Sequence, residues 1–319
     1  MDSEFDLIGR YFNRPAPAGM LGVGDDCALF SVTAGMQLAT SMDLFIEGRH
    51  FLPGADAVAV GHKALAVNLS DLAAMGARPL ACLLGLSLPN VDHNWLAGFS
   101  SGFHALAQAA GCPLLGGDTT RSADGIVISV TVMGEVASGL ALRRSAAQPE
   151  DDIWLTGTLG APDIALRLLQ GRLPDNPALL AASRAALETP LPPWQFAQSL
   201  VGVAHAALDI SDGLAQDLGH ILLASQCGAE LDYASLPIDP CLSALDLALQ
   251  QQAVLTGGDV YQLCFTASPQ QRQDIVRLAD QAGILATRVG RITTQTGLRI
   301  LDQHGQLVEL VSGGYDHFS

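Results

Sequence analysis

Residues 64–77 read ALAVNLSDLAAMGA, an apolar stretch that carries a single carboxylate, Asp71. Apolar residues recur at helical spacing along this stretch and before it, which predicts one long helix from Ala55 to Met75. Asp is a poor helix former, and a buried carboxylate has to be paired or bound to a metal ion. The stretch therefore predicts a functional carboxylate on a buried helix.

Strand-like and helix-like segments alternate on both sides of this helix. Strands are predicted at residues 27–30, 37–46, 80–88, 126–136, 152–156, 206–210 and 263–266, and near Val289 and Arg299. Further helices are predicted at residues 95–110, 163–169, 178–187, 195–202, 214–225 and 269–282. A polar stretch from Arg143 to Asp152 suits a domain junction. The pattern predicts a mixed α/β fold with two domains, residues 1–142 and 143–319.

Composition excludes several classes of protein. The chain has 319 residues, of which 49% are hydrophobic, and a formal net charge of -16. A chain of this length and apolar content forms two cores, which excludes an intrinsically disordered protein. The sequence lacks a basic stripe, which disfavours nucleic acid as a partner. The only lysine lies in Gly61-His62-Lys63-Ala64 rather than in a Gly-Lys-Ser/Thr motif, which excludes a Walker-type NTPase.

The cysteines, the first residues and the length of the apolar runs indicate the cellular compartment. Six cysteines are scattered without a C-x-x-C pair, which indicates reduced thiols rather than a disulfide framework or a zinc site. The acidic start, Met1 to Glu4, is not typical of a signal peptide. No uncharged apolar run reaches the ~18 residues of a membrane span. We therefore expect a cytoplasmic protein that has no membrane partner.

The acidic residues are skewed toward one type, because 25 of the 32 are Asp. Asp suits both turns and the coordination of hard cations, so composition alone leaves solubility and metal binding open. Asp stands beside Gly, Ser or Thr at the predicted ends of elements in segments 22–26, 41–43, 68–71, 116–120 and 209–213. Each segment taken alone is explained as a turn, and Asp212 is explained as the cap of the following helix.

Three of these aspartates resist the explanation as turns. Asp71 lies in an apolar helix, Asp43 in a strand-like run and Asp209 at the end of an apolar strand. The chain has one lysine, and arginines would pair only one or two of these carboxylates. A cluster of Asp around Mg²⁺ explains the group more economically.

The segment Gly116-Gly117-Asp118-Thr119-Thr120 predicts a second kind of site. Gly lets the backbone approach an anion closely, and successive N–H groups can form a nest for a phosphate. Together with the aspartates, the segment predicts a metal-bridged phosphate site that has no Walker lysine. The reaction class would be phosphoryl transfer, in which positioning and charge neutralisation dominate.

At these segments the sequence resembles the thiamine-monophosphate kinase family, which belongs to the aminoimidazole-ribonucleotide-synthetase-like superfamily of ATP-using enzymes. The resemblance runs from about Phe5 to Phe318. Its most specific segments are residues 22–29, 47–51, 64–77, 116–121, 209–214 and 314–318. The resemblance implies direct, Mg²⁺-assisted in-line transfer of the γ-phosphoryl group of ATP to thiamine monophosphate, which gives thiamine diphosphate.

The resemblance also implies a role for each matching residue. The implied Mg²⁺ ligands are Asp26, Ser41, Met42, Asp43, Asp71, Asp118, Asp209 and Asp212, with Asp43, Asp71 and Asp118 as the catalytic carboxylates. The implied ATP contacts are Gly117, Asp118, Arg144 and Ser211. The implied contacts to thiamine monophosphate are His50, Asp259 and Tyr315. Without the resemblance, we would interpret His50 as a packed histidine and Tyr315 as an aromatic anchor.

The fold implied by the resemblance is an aminoimidazole-ribonucleotide-synthetase-like fold with two α/β domains. The N-terminal domain, with a mixed sheet and helices, would bind ATP and Mg²⁺. Its sheet would join that of a second subunit in a barrel-like homodimer interface. The C-terminal α/β domain would complete an active-site cleft between the domains.

Departures from the family pattern leave alternatives open. Met42 stands where the family has a hydroxyl, and a thioether is a poor ligand for a hard cation unless the backbone carbonyl binds. The family's Gly-Gly-Glu-Asp-Tyr-Glu-Leu is GGDVYQL at residues 257–263, with fewer carboxylates. The first alternative is another ATP-dependent activity of the superfamily, such as selenophosphate synthesis or a maturation dehydration. The second is a non-catalytic nucleotide- or thiamine-phosphate-binding protein.

Overall fold

The structure is a computed structural model that describes residues 3–23 and 27–309. The chain divides into two compact units, of which residues 1–72 and 77–139 form the first, and residues 73–76 and 140–319 form the second. Each unit combines helices with one sheet, so the prediction of α/β structure in both halves is confirmed. Leu142 packs in a core of the second unit, which places the division three residues before the predicted boundary.

The first unit contains three helices and four strands in the described residues. They are α1 (Glu4–Leu7), β1 (Met36–Ile46), α2 (Ala57–Ala74), β2 (Arg78–Leu88), α3 (His93–Ala110), β3 (Leu114–Arg121) and β4 (Val127–Ala137). A π-helical turn, Ile8–Phe12, follows α1, and the last residues of α2, Ala73 and Ala74, are grouped with the second unit. The predicted helix 55–75 and the predicted strands 37–46, 80–88 and 126–136 are therefore confirmed.

The four strands form a mixed sheet in the order β1-β4-β2-β3, in which β2 and β3 are parallel and the other neighbours are antiparallel. Side chains alternate between its two faces. One face is buried, as at Leu84 and Val130, and α2 lies against it, because Leu72 reaches Gly134 of β4. The other face is open, and on β1 it leaves Met42 and Leu44 at least half exposed.

Helices α2 and α3 touch through bare backbone. A Cβ added at Gly61 of α2 would lie 2.0 Å from the carbonyl oxygen of Phe99, and one at Gly102 of α3 would lie 1.9 Å from that of Val58. Only glycine permits this approach, since real Cβ atoms keep well over 3 Å from a carbonyl oxygen. The two glycines thus set the distance between the helices and bury Phe99 and Phe103 completely.

The second unit contains six helices and six strands in the described residues. They are β5 (Asp152–Thr156), α4 (Ala161–Leu169), α5 (Pro177–Glu188), α6 (Trp194–Ser199), β6 (Ala206–Asp209), α7 (Leu214–Ser225), β7 (Gly228–Asp232), α8 (Leu247–Leu255), β8 (Leu263–Ala267), α9 (Arg272–Ala282), β9 (Ala286–Thr293) and β10 (Gly297–Leu301). The strand order is β10-β7-β9-β5-β8-β6, in which only β10 and β7 are parallel. Helix α7 and strand β6 bury their apolar residues in one core, at Leu208 and Leu218.

The structure also corrects the sequence-based expectations at several places. The predicted strand 27–30 is wrong, because Leu29 makes only an isolated bridge to Leu21. Strand β3 was expected to be a phosphate-binding loop, and β7 and α8 were not predicted. All six cysteines are free thiols, as expected. None of the helices in the described residues has the length and apolar character needed to cross a bilayer.

The glycine contact between α2 and α3 yields a stability prediction. We expect Gly61→Ala to lower the free energy of unfolding by about 1–3 kcal/mol or more, because the added methyl group forces the two helix backbones apart. Gly219→Ala is the matched control, since a Cβ at this position in α7 meets nothing within 4 Å. It should raise stability by up to about 1 kcal/mol through helix propensity. Thermal and urea denaturation of both variants measures the difference, and equal stabilities would contradict the packing argument.

Candidate active site

A pair of carboxylates lies on the buried side of the first sheet, where β1 meets α2. Ser41 and Asp43 are two residues apart on β1 and therefore share a face. The Ser41 hydroxyl donates to Oδ2 of Asp71 on α2 across 2.5 Å. The Asp43 amide N–H donates to Oδ1 of Asn68 across 3.1 Å, and the Asn68 amide donates in turn to the carbonyl of Ala64. These bonds tie the helix to the edge strand and bring the two carboxylates together.

The electrostatics of this pair favour a cation. Burial, together with the smaller effect of the negative charge of Asp71, raises the pKa of Asp43 to about 6. Two partly buried carboxylates that repel each other are stabilised by a divalent ion, and with the Ser41 hydroxyl they supply the oxygen ligands that Mg²⁺ prefers. The residues present therefore fit Mg²⁺, which usually takes one or two carboxylates and completes its shell with water and substrate phosphates.

Within residues 3–23 and 27–309, no group of three His, Cys, Asp or Glu side chains is placed to hold a metal ion. The implied set of Mg²⁺ ligands includes Asp26, which lies outside these residues, and it stays a prediction. Strand order explains the position of Asp118. Its register row runs through Gly85 and Ser129 to Leu44, so it lies three strands from β1, roughly 14 Å away. This row is on the open face of the sheet, opposite to Asp43. Asp118 therefore cannot share one ion with Asp43 in the same chain.

Met42 also lies on the open face. Successive side chains of a strand point to opposite faces, so Met42 lies away from Ser41 and Asp43 and is 56% exposed. This placement agrees with the thioether being a poor ligand for a hard cation. Only its backbone carbonyl remains as a ligand, and that role stays a prediction.

The predicted nest at residues 116–120 is wrong as well, because these residues belong to strand β3. Gly117 is required for another reason. Its φ is +155°, and an added Cβ would lie 1.8 Å from the carbonyl oxygen of Leu84 on β2. The glycine therefore serves the close approach of two strands. Its implied contact with ATP stays a prediction.

His50 stands at the end of β1 in a stack of rings. Its imidazole stacks on Phe45 with ring centroids 5.5 Å apart, and Phe51 stacks on the same ring at 5.6 Å. The Ile46 amide N–H donates to Nδ1 of His50 across 3.0 Å. Because Nδ1 is an acceptor, a neutral His50 carries its proton on Nε2 and presents that atom as a donor. His50 can therefore be packed against aromatic rings and still offer Nε2 as a hydrogen-bond donor.

In the second unit, a loop between β6 and α7 carries three of the predicted site residues. Asp209 ends β6 and is 7% exposed, and Ser211 and Asp212 follow it. Gly213, with φ of +122°, occupies the N-cap position of α7, so the explanation of Asp212 as the cap is wrong. The loop is held by Asp217, a buried residue that the sequence reasoning missed.

Asp217 accepts three backbone hydrogen bonds with one oxygen. Its Oδ2 lies 3.0 Å from the amide nitrogens of Ser211 and Asp212 and 3.1 Å from that of Gly213. Burial raises the pKa of Asp217 to about 6, a shift that the three N–H donors oppose and the charge of Asp212 supports. An Asp in the first turn of a helix is a sequence signal for such a contact.

A second loop, residues 257–262, lies against the first. The Asp259 amide N–H donates to the carbonyl of Ser211 across 2.8 Å, and the Tyr261 N–H donates to that of Ile210 across 2.7 Å. Asp259 and Tyr261 both adopt left-handed backbone conformations, with φ of +62° and +53°, which are costly for residues other than Gly. The Tyr261 hydroxyl donates to Oδ1 of Asp259 across 3.0 Å and orients that carboxylate.

Three further residues were predicted at the site, namely Arg144, Asp26 and Tyr315. Arg144 is exposed, and its backbone carbonyl accepts a hydrogen bond from the Ser225 hydroxyl across 2.7 Å. Asp26 and Tyr315 lie outside the described residues. Their implied roles stay predictions.

Comparison with known proteins gives the family of this chain. The N-terminal domain of AIR synthase related proteins matches residues 24–136, and the C-terminal domain matches residues 148–303. A thiamine-monophosphate kinase of Escherichia coli O157:H7 is 41% identical over 99% of this chain and 98% of its own length. The chain belongs to the thiamine-monophosphate kinase family.

Solved structures agree with membership of this kinase family. The crystal structure of thiamine-monophosphate kinase from Stenotrophomonas maltophilia K279a is 44% identical, covers 91% of this chain and 93% of its own, and superposes with a TM-score of 0.84. The structure of AaThiL complexed with AMPPCP and TMP is 26% identical, covers 90% of this chain and 89% of its own, and superposes with a TM-score of 0.79.

The structure shows how this member of the kinase family accommodates its departures in the 257–263 segment. Val260 is buried in the apolar core of the second unit, where a carboxylate would be costly. The Gln262 amide accepts from the Thr156 hydroxyl across 2.8 Å and donates to the carbonyl of Leu191 across 3.2 Å. A glutamate lacks the second bond, because a carboxylate has no donor at neutral pH.

The raised pKa of Asp43 yields a pH prediction for the metal-free protein. The folded-state pKa of about 6 lies above the unfolded value near 3.8, so the contribution of this group to stability is lost as the pH rises from about 4 to about 6. Asp43→Asn should therefore stabilise the protein at pH 7.5 in EDTA, by roughly 3 kcal/mol at most, and change little at pH 4. Thermal denaturation across this range tests it.

The control for this experiment is Asp124→Asn, which removes an exposed carboxylate from a turn of the same unit. It should leave the pH dependence of the melting temperature unchanged. If Asp43→Asn followed the wild-type pH profile, the pKa of Asp43 would not be raised by burial and by the charge of Asp71.

Proposed function

We propose that this protein transfers the γ-phosphoryl group of ATP to the phosphate of thiamine monophosphate, which yields thiamine diphosphate and ADP. Its likeness over the full length to thiamine-monophosphate kinases carries the proposal. AaThiL binds AMPPCP, an ATP analogue, together with TMP, which supports ATP as the co-substrate here. The Asp43–Asp71 pair supplies the chemistry that such a transfer needs.

In this proposal, the aspartates hold Mg²⁺ ions that neutralise the phosphates of ATP when bound. Asp43, Asp71 and Ser41 would form one ion site in the first unit. Asp209 and Asp212 would bind ions in the second unit. Asp26, the Met42 carbonyl and Asp118 are proposed ligands as well. Gly117, Arg144 and Ser211 are proposed ATP contacts.

The acceptor phosphate needs little help from a base. A phosphate monoester has a second pKa near ~6, so its attacking oxygen is largely ionised at neutral pH. The residues of this chain then have to bind and orient two anions. We propose that His50 donates from Nε2 to the phosphate of thiamine monophosphate, and that Asp259, oriented by Tyr261, and Tyr315 bind the rest of that substrate.

The open face of the first sheet supports a homodimer as the working form. On β1, Leu38, Met42 and Leu44 are each 50–56% exposed and lie on one face. Several exposed apolar side chains on one face of a sheet are typical of a protein interface. We propose that two copies of this face pack together in the barrel-like interface that the family resemblance implies. The free cysteines fit the proposed location in the cytoplasm, where thiols are kept reduced.

The activity itself is tested with purified protein, ATP, Mg²⁺ and thiamine monophosphate, followed for thiamine diphosphate. We expect turnover in the wild type, and a fall of about 100-fold or more in Asp71→Asn, because one ion-binding carboxylate is lost. Circular dichroism should show an unchanged fold. Asp124→Asn is the control and should keep full activity. Binding of the substrates without turnover in the wild type would instead indicate a non-catalytic binding protein.

The dimer is tested by placing a charge on the open face. Leu44→Lys should convert the dimer to a monomer in light scattering coupled to size-exclusion chromatography, since a lysine in an apolar interface is desolvated without a partner. Leu223→Lys is the matched control, because Leu223 is 80% exposed on α7 of the second unit. If both variants kept the wild-type mass, the proposed interface would be wrong.

A further inference from the structure

Asp217 is a buried carboxylate that none of the roles proposed above uses. It lies in the first turn of α7 and is 4% exposed. Its Oδ2 receives the amide N–H groups of three consecutive residues, Ser211, Asp212 and Gly213, at 3.0–3.1 Å. Three successive N–H groups converge on one atom only when the backbone curves around it. The carboxylate therefore determines the path of this loop.

The charge of Asp217 matters for this contact. Hydrogen bonds to an ionised acceptor are shorter and roughly twice as strong as those between neutral groups. The N-terminus of α7 adds a positive potential at the same place. Asp217 also fills the concave backbone that a phosphate would otherwise occupy, so this loop offers its side chains, rather than these N–H groups, to a ligand.

The loop at residues 211–213, which Asp217 holds, is in direct contact with the second loop, residues 257–262. The Ser211 carbonyl accepts from the Asp259 N–H across 2.8 Å. A Cβ at Gly258 would lie 2.5 Å from the same carbonyl oxygen, and one at Gly213 would lie 2.8 Å from the backbone of Thr256. Because the two loops are in contact at these glycines, a shift of the first loop displaces Asp259 as well.

We propose that Asp217 is a positioning residue for phosphoryl transfer, which fixes Ser211 and Asp212 for ATP and its ion and, through Ser211, sets the position of Asp259. The inference rests on the function proposed above. Asp217 itself touches neither substrate. It acts only through the backbone of residues 211–213.

The test compares Asp217→Ala, which removes the acceptor, with Asp217→Asn, which keeps one acceptor oxygen without the charge. Asp92→Ala is the matched control, because Oδ1 of Asp92 accepts two backbone N–H groups at the start of α3, in the first unit. Three quantities are measured: amide hydrogen exchange at residues 211–213, the dissociation constant of AMPPCP with Mg²⁺, and kcat and KM for thiamine monophosphate.

We expect Asp217→Ala to accelerate exchange of these three amides and to weaken Mg²⁺-dependent AMPPCP binding by about 10- to 100-fold, as is typical when the support of an ion site is removed. Asp217→Asn should fall between this variant and the wild type. Asp92→Ala should lose thermal stability while keeping the AMPPCP affinity, kcat and KM of the wild type. A purely structural cap would instead give Asp217→Ala the pattern of Asp92→Ala, which would overturn the inference.

Two further outcomes have a defined meaning. If Asp217→Ala does not fold, Asp217→Asn decides, and wild-type exchange rates together with wild-type AMPPCP affinity in that variant would overturn the inference. If the wild type binds AMPPCP but does not phosphorylate thiamine monophosphate, the proposed function fails. The exchange and binding measurements then still test whether Asp217 positions the loop.

Discussion

Helix α2 contacts α3 through bare backbone at Gly61 and Gly102, and it contacts the first sheet where Leu72 meets Gly134, so these close approaches set where α2 lies. Asp71 is carried by α2, so its distance from Ser41 and Asp43 on β1 follows from that packing. Charge opposes the arrangement, because burial and the charge of Asp71 both raise the pKa of Asp43. Packing of apolar residues therefore holds together two groups that would separate in water.

The second unit also contains a buried carboxylate, and there backbone N–H donors stabilise it. The three N–H groups around Asp217 keep a buried carboxylate charged at neutral pH, and the loop they shape carries Ser211 and Asp212. Arginines pair with other carboxylates of the second unit, as Arg272 does with Asp152. A chain with one lysine can thus keep carboxylates buried by hydrogen bonding and packing.

Local patterns in the sequence predicted the long helix that carries Asp71 and the strand that carries Asp43, because helical and strand periods are local properties. They failed at β3, since a strand with two glycines and two threonines around an Asp looks like a loop. Strand order is not a local property of the sequence, so the separation of Asp118 from Asp43 could not be predicted from local patterns. The contact of Asp217 with residues 211–213 depends on a loop conformation that no periodicity encodes.

The high proton affinity of Asp43 links two kinds of ligand. A divalent ion requires the ionised carboxylate, so below a pH of about 6 uptake of the ion has to expel a proton. The protein would then act as an exchanger of one proton for one ion at this position. Its affinity for a nucleotide that accompanies the ion would then fall in acid through Asp43, in addition to the loss that protonation of the terminal phosphate causes.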